Sequence, residues 1–519
     1  MLLNRKSVEL LAPAGTWDAL VAGVESGADA VYLGGKHFNM RMHEGEFNFD
    51  DALLKKAIDY AHEHGVRLYI TLNNLISNEE IPALREYLAY LNEIRPDALL
   101  VQDFAVLELV HEMGITIPLH TSVMMNTHNE HAIEKLKEYG ITRIVVGREM
   151  TLSELSLFRE RTGIEVEYFM HGDMCISESG QCIHSGVLFG QSGNRGRCLK
   201  PCRWAYKLID EKTGEVLDKD GPGAYKLALK DMCMYRAIPQ LIQAGVFSFK
   251  IEGRMRPAGF IRRIVSTYRK AIDAYIADPN GYTTDEEGWK TLYDNRARDF
   301  TTTFAFGQPG KKDIGFTGER EPRFFSHAVK EAGFQDEVLR QEHDIEKENA
   351  AHRVLSVRCN TVESAKAAIR SGADTVYVGG EAFRPLRPWK LGDYEEILAY
   401  AKGKARVVVT TPRTTMRREC GELEQFFTAL REIRPDGLMV SNLGSLKLAQ
   451  SITDLPVQAD LSFNLFNQLA AKFLKENGLS MAATSYELSF EQLREIVETA
   501  ELPLETVVHG SYESMICDH

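Results

Sequence analysis

The chain has no long apolar run. No stretch approaches the roughly 18 consecutive apolar residues a membrane span requires, and the run from Val8 to Ala14 is too short and too polar in its flanks for a secretory signal. These absences predict a cytoplasmic protein whose thiols stay reduced. Net positive charge is missing too. With 61 Lys and Arg against 74 Asp and Glu, the formal charge is −13, so the surface as a whole repels polyanions and any nucleic-acid site must be a local patch. Neither G-x-S-x-G nor H-E-x-x-H occurs, which removes two plain hydrolase signatures. A thiolate paired with His171 or His184 would suit a cysteine protease, but nothing in the spacing selects such a pair.

What is present is a concentration of sulfur. Five of the eight cysteines, Cys175, Cys182, Cys198, Cys202 and Cys233, fall in one glycine- and arginine-bearing stretch after His171. In a reducing compartment such a group points to a metal or cluster before disulfides. The spacing C-x6-C-x15-C-x3-C-x30-C lacks the short knuckles of zinc ribbons, apart from Cys198 and Cys202. Wide, irregular spacing suits a loop wrapped around a bulky iron–sulfur cubane. Buried free cysteine is the alternative for any one of them.

An internal repeat sets the architecture. SGADAVYLGG from Ser26 returns as SGADTVYVGG from Ser371, and IRPDALLV from Ile94 returns as IRPDGLMV from Ile433, at nearly the same offset. His171-Gly172 with Met174-Cys175 is echoed by His509-Gly510 with Met515-Ile516-Cys517. In the first copy eight aliphatic runs alternate with helical stretches: Val8–Ala12, Ala30–Leu33, Arg67–Leu72, Ala98–Val101, Ile117–His120, Arg143–Val146, Val166–Met170 and Val246–Ile251. Eight such runs predict a (β/α)8 barrel over residues 1–309, with a cysteine-rich excursion at 171–244. Every run ends in polar or small residues, so a site is expected at the C-terminal strand ends. Residues 310–352 read as a charged linker. Residues 353–519 repeat the pattern with seven runs, the last at Thr506–Val508, and predict a second, incomplete barrel-like α/β domain without a second cysteine loop.

Candidate site residues follow from these strand ends. Glu252 and Arg254 are placed to polarise or hold a substrate, with a structural ion pair as the alternative; His171 and His120 are candidate proton-transfer groups. Two basic patches are candidates for phosphate contact. One comprises Arg195, Arg197, Lys200, Arg203 and Lys207 with Trp204 and Tyr206 interleaved; the other comprises Arg254, Arg256, Arg262, Arg263, Arg269 and Lys270. Solvated helix faces, and core packing for the two aromatics, are the plainer alternatives.

The motifs His171-Gly172-Asp173-Met174-Cys175, Ser179-Gly180-Gln181-Cys182, Asn194-Arg195-Gly196-Arg197-Cys198, Pro201-Cys202-Arg203-Trp204 and Lys250-Ile251-Glu252-Gly253-Arg254 together closely resemble the peptidase U32 family. The resemblance spans the first copy and reaches Asp299-Phe300-Thr301-Thr302. It implies either a collagenase-like peptidase or an oxygen-independent hydroxylase acting on tRNA wobble uridine with prephenate, on a 23S rRNA cytidine, or on a quinone precursor. It also implies a [4Fe-4S] cluster on Cys175, Cys182, Cys198 and Cys233, with Cys202 as substitute or neighbour. The Asp299–Thr302 segment and the extra domain favour tRNA. An assembly partner without turnover is the third expectation.

Overall fold

A computed structural model of the chain describes residues 5–219, 221–321, 353–382, 386–511 and 513–517. Two compact units emerge, one made of residues 1–329 together with 510–519, the other of residues 330–509. In the first unit the strands are β1 (Glu9–Pro13), β2 (Ala30–Leu33), β3 (Arg67–Leu72), β4 (Ala98–Val101), β5 (Leu119–Thr121), β6 (Ile141–Val145), β7 (Glu165–Gly172), β8 (Asp231–Cys233), β9 (Ser248–Ile251) and β10 (Phe300–Thr301). Strands β1 to β7 pair in parallel, each with the next, and β9 pairs in parallel with both β7 and β1. That double pairing closes an eight-stranded parallel barrel, as the eight runs predict.

One departure concerns the cysteine excursion. It contributes β8, which runs antiparallel to β7 with His171 opposite Cys233, and β8 in turn pairs with β10. The ledge is too short to leave an alternating pattern in the sequence. Residues 310–321, read as the start of the linker, pack into this unit: Leu229 bridges Ile314, and Lys230 N–H donates to the Asp313 carbonyl. The rest of that linker, 322–352, lies outside the described residues.

The repeated motifs have a structural cause. Asp29 accepts from the Leu10 N–H and its counterpart Asp374 accepts from the Leu355 N–H, each at 2.8 Å. Asp97 and Asp436 do the same for Leu68 and Val407 at 2.7 Å. Arg95 and Arg434, at the ends of matching helices, both adopt left-handed backbone just before a proline. Both copies thus satisfy the N-terminal strand ends with one device.

The barrel interior is charged at its lower end. Glu9, Glu167, Arg143 and Lys250 are all buried. Arg143 lies 2.6 Å from Glu9, which also accepts from Tyr69 and Ser248, and Lys250 lies 2.7 Å from Glu167. Burial works against the charge on Glu9, yet Arg143 and Arg67 hold it below the usual carboxylate range. After β9 the helix Ala258–Ala277 buries Ile261, Ile264, Val265, Tyr268 and Ile272, one stripe at helical spacing that packs on the barrel and points Tyr268 toward the site.

The second unit is a single sheet of seven parallel strands in sequence order: β11 (Ser356–Cys359), β12 (Thr375–Gly379), β13 (Arg406–Thr410), β14 (Gly437–Val440), β15 (Val457–Ala459), β16 (Ala482–Ala483) and β17 (Leu504–Glu505). It curls as part of a barrel with no eighth strand among the described residues. The run Thr506–Val508 is not a strand; Val508 is 84% exposed, so its β-branched residues have no surface to pack against.

Candidate active site

The C-terminal ends of β7 and β9 open into a cavity of about 600 Å³ whose lining includes His171, Asp173, Lys200, Glu252, Arg256 and Phe300. That volume suits a small-molecule or single-nucleotide ligand. His171, near the end of β7, is buried, with Nδ1 3.1 Å from the Tyr268 hydroxyl and its ring edge-on to Tyr268 and Phe300. Burial, and after it Arg256, brings its pKa down to about 3, so it is a neutral imidazole at physiological pH. Glu252 faces the same cavity, 3.7 Å from both Arg41 and Arg148. Neither guanidinium is close enough for a direct hydrogen bond to Glu252.

Arg254 also lines the cavity, whereas His120 does not. Arg254 is buried and donates to Asn39, Thr71, Asn48 and the Phe47 carbonyl, fastening the loop after β2 to the end of β9. Any Cβ at Gly34 would stand 2.5 Å from this guanidinium, which is why a glycine is needed there. Glu252 and Arg254 therefore form no ion pair with each other. His120 lies inside the barrel, edge-on to Tyr69, and does not line the cavity. Burial first, then Arg143 and Lys250, holds it neutral far below its ordinary range.

The cysteine loop is fastened over the barrel mouth by buried charge. Arg298 reaches Asp173 at 2.5 Å, Asp231 at 3.1 Å and Glu321 at 2.9 Å. Arg203 reaches Glu321 at 2.8 Å and the Met174 carbonyl at 2.9 Å. Burial opposes ionisation of Asp173, but Lys200, Arg298 and Arg203 together keep it far below the carboxylate range. Residues 513–517 add an edge to the same loop: Glu178 N–H donates to the Ile516 carbonyl, Ile183 N–H to the Ser514 carbonyl, and His184 Nδ1 lies 2.7 Å from Ser514 Oγ.

Glu149, at the end of β6, accepts from the N–H and hydroxyl of Ser179 and pairs with His128 at 2.5 Å, all buried. Burial opposes both charges, yet the pairing raises His128 above its ordinary pKa and lowers Glu149 below its own. The pair therefore contributes fully between about pH 4.5 and 6.5. Its contribution falls as pH rises through the raised value of His128, or drops through the lowered value of Glu149. The protection factors of amides across residues 175–185, with the intrinsic pH dependence divided out, are expected to fall above pH 7, and His128→Gln is expected to flatten that fall.

Four thiols sit within electrostatic reach of one another. Burial leads the upward shift of Cys182, and Cys198, Cys175 and Cys202 add to it. Cys202 is pushed up to about 12 by burial, again with Cys175 and Cys198 contributing. A Cβ on Gly193 would lie 3.6 Å from the Cys182 carbonyl and 3.7 Å from Cys198 Cβ, so the strands of the loop run close here. Cys198 Sγ accepts the Lys200 N–H at 3.3 Å. Cys233 has its thiol 3.5 Å from the Tyr268 hydroxyl, and burial pushes it up to about 11. Among the described residues no three His, Cys, Asp or Glu side chains are set to grip a single metal ion.

The basic patches resolve unevenly. Arg195 pairs with Glu80, Lys200 with Asp173 and Arg203 with Glu321, so the first patch mainly fastens the loop. Trp204 packs edge-on to Phe189, and Tyr206 donates to the Pro201 carbonyl; both are packing residues. In the second patch Arg262, Arg269 and Lys270 pair with Glu25, Asp29 and Asp285. Arg256 and Arg263 line the cavity, and neither pairs with a carboxylate among the described residues. Arg298, Glu321 and His128 carry no sequence signal of these roles, whereas Glu149 is legible as a polar strand end.

A family model described as "Peptidase family U32" matches residues 15–315 and 360–517, which takes in most of both units. The chain belongs to peptidase family U32. Among its U32 relatives, the "tRNA hydroxylation protein P1" of Bacillus subtilis is 33% identical over 60% of this chain and 74% of its own length. The "23S rRNA 5-hydroxycytidine C2501 synthase" of Escherichia coli is 34% identical over 54% of this chain and 41% of its own length. A "Collagenase" of Porphyromonas gingivalis is 30% identical over 55% of this chain and 69% of its own. No helix among the described residues is long and apolar enough to cross a membrane.

Proposed function

We propose that this U32 protein is a cytoplasmic RNA hydroxylase, acting on a pyrimidine of tRNA, with an iron–sulfur cluster held by Cys175, Cys182, Cys198 and Cys202. The observation that carries the reading is the gathering of these four thiols in one loop over the barrel mouth, with Lys200 linking them to the cavity. Four thiols in one loop match the thiolate per iron that a cubane takes. When bound, such a cluster supplies one-electron chemistry. The residues of the chain do the rest: Glu252, between Arg41 and Arg148, orients a polar group of the substrate; neutral His171 holds a hydrogen bond at its edge; Arg256 and Arg263 receive oxyanions. Prephenate, a dicarboxylate and the hydroxyl source the family resemblance suggests, suits those two arginines.

A peptidase has less support. Cys233, opposite His171 on the neighbouring strand, has its thiol pushed up to about 11, the reverse of an activated nucleophile. Anaerobic purification should give a brown protein absorbing near about 400 nm, with iron and sulfide in equal amounts. RNA from a deletion strain should lose one hydroxylated pyrimidine in nucleoside mass spectrometry. A colourless protein that cleaves denatured collagen would overturn the reading; cluster binding with unchanged RNA would point to an assembly role.

A further inference from the structure

Resting on the RNA reading, we infer that Gln102, directly after β4, and Asn126, which ends the turn that follows β5, read the hydrogen-bonding edge of a pyrimidine drawn into the barrel mouth. Both end segments follow paired strands, β4 and β5. Thr71, whose side chain reaches Arg254, is the register partner of Leu100, so the alternation of β4 carries Gln102 onto the inward face. Gln102 is 5% exposed, yet neither its Nε2 nor its Oε1 has a partner among the described residues. Asn126, held in left-handed backbone at φ 56°, likewise leaves both Nδ2 and Oδ1 buried without partners.

Buried amides in folded proteins are almost always hydrogen-bonded, and two with both ends unmet are costly to keep for packing alone. An amide offers one donor beside one acceptor. That pair matches the N3–H and carbonyl of uracil, or the N3 and amino group of cytosine, without distinguishing ribose or phosphate. The cysteine loop passes on either side: the Asn194 carbonyl accepts from Leu75 N–H after β3, and Gly180 packs directly on Met124 after β5. A base held at Gln102 would therefore lie against the loop that carries the thiols.

Gln102→Leu separates a reading role from a structural one. The variant is expected to melt at or above the wild-type temperature without ligand, because unmet polar groups leave the core. Its affinity for uridine or cytidine 5′-monophosphate is expected to fall about tenfold or more in calorimetric titration, while ribose 5-phosphate shows no change. A variant that melts several degrees lower and binds both nucleotides as the wild type does would overturn the inference. Asn126→Gly keeps the left-handed turn, deletes the second amide and carries the same expectation if Gln102→Leu does not fold. Complementation keeps the two readings distinct. Wild-type protein that fails to restore the hydroxylated nucleoside sinks the hydroxylase; restoration by wild type and Gln102→Leu alike sinks only the role of Gln102.

Discussion

Arg143→Met is expected to destabilise the first unit by about 3–5 kcal/mol, because it removes the cation that two buried carboxylates share. Arg143 is 2% exposed at its side chain and reaches Glu9, Glu165 and Glu167 at once. Methionine preserves the stem, so lost packing contributes little, and the cost is that of Glu9 and Glu167 each losing a cation, with Arg67 still paired to Glu9. Lys250 compensates one of them, since it already pairs with Glu167. Adding Glu9→Gln to Arg143→Met should recover part of the loss, as coupled partners in one network do. Urea unfolding followed by circular dichroism measures both. A loss below about 1 kcal/mol would mean that the network relaxes or admits solvent, contrary to its burial.

Cys202→Ser is expected to cost most of the bound iron and the absorbance near about 400 nm, whereas Cys233→Ser should keep both. The family resemblance suggests the opposite assignment. The proposal takes Cys202 because Cys175 and Cys198 contribute to the upward shift of its thiol, while the Cys233 thiol lies 3.5 Å from the Tyr268 hydroxyl. Serine keeps the size and leaves a poorer ligand, so a folded variant lacking iron reports on ligation and not on collapse. Cys182→Ser serves as the positive control. Iron retained by Cys202→Ser and lost by Cys233→Ser would mean that the loop rearranges to bring the strand residue in.

The barrel was legible because its strands are short aliphatic runs at regular spacing, and the duplication because motifs such as GAD and RPD recur intact. Those motifs turn out to be strand-end devices, which explains why the second copy keeps them without a cysteine loop. His171 and Glu252 were legible as polar strand ends that meet at one cavity. Arg254 lines that cavity too, but its bonds to Asn39 and Thr71 were not legible, because those partners are distant in sequence. The β8 and β10 ledge escaped because two- and three-residue strands have no period. The basic patches misled because their partners, Glu80, Glu321 and Asp29, lie far away along the chain, and spacing within a patch says nothing of them.

The edge that residues 513–517 add to the cysteine loop has a consequence for biogenesis. His184 and Ser514 are 330 positions apart. At ribosomal speeds of about 5–20 residues per second, the loop waits roughly 15–65 s between its own emergence and the arrival of that final edge. Throughout that interval the thiols are borne by a nascent chain whose loop is still open on one side, so a group the proposed function would place on them has its freest access before residues 513–517 emerge.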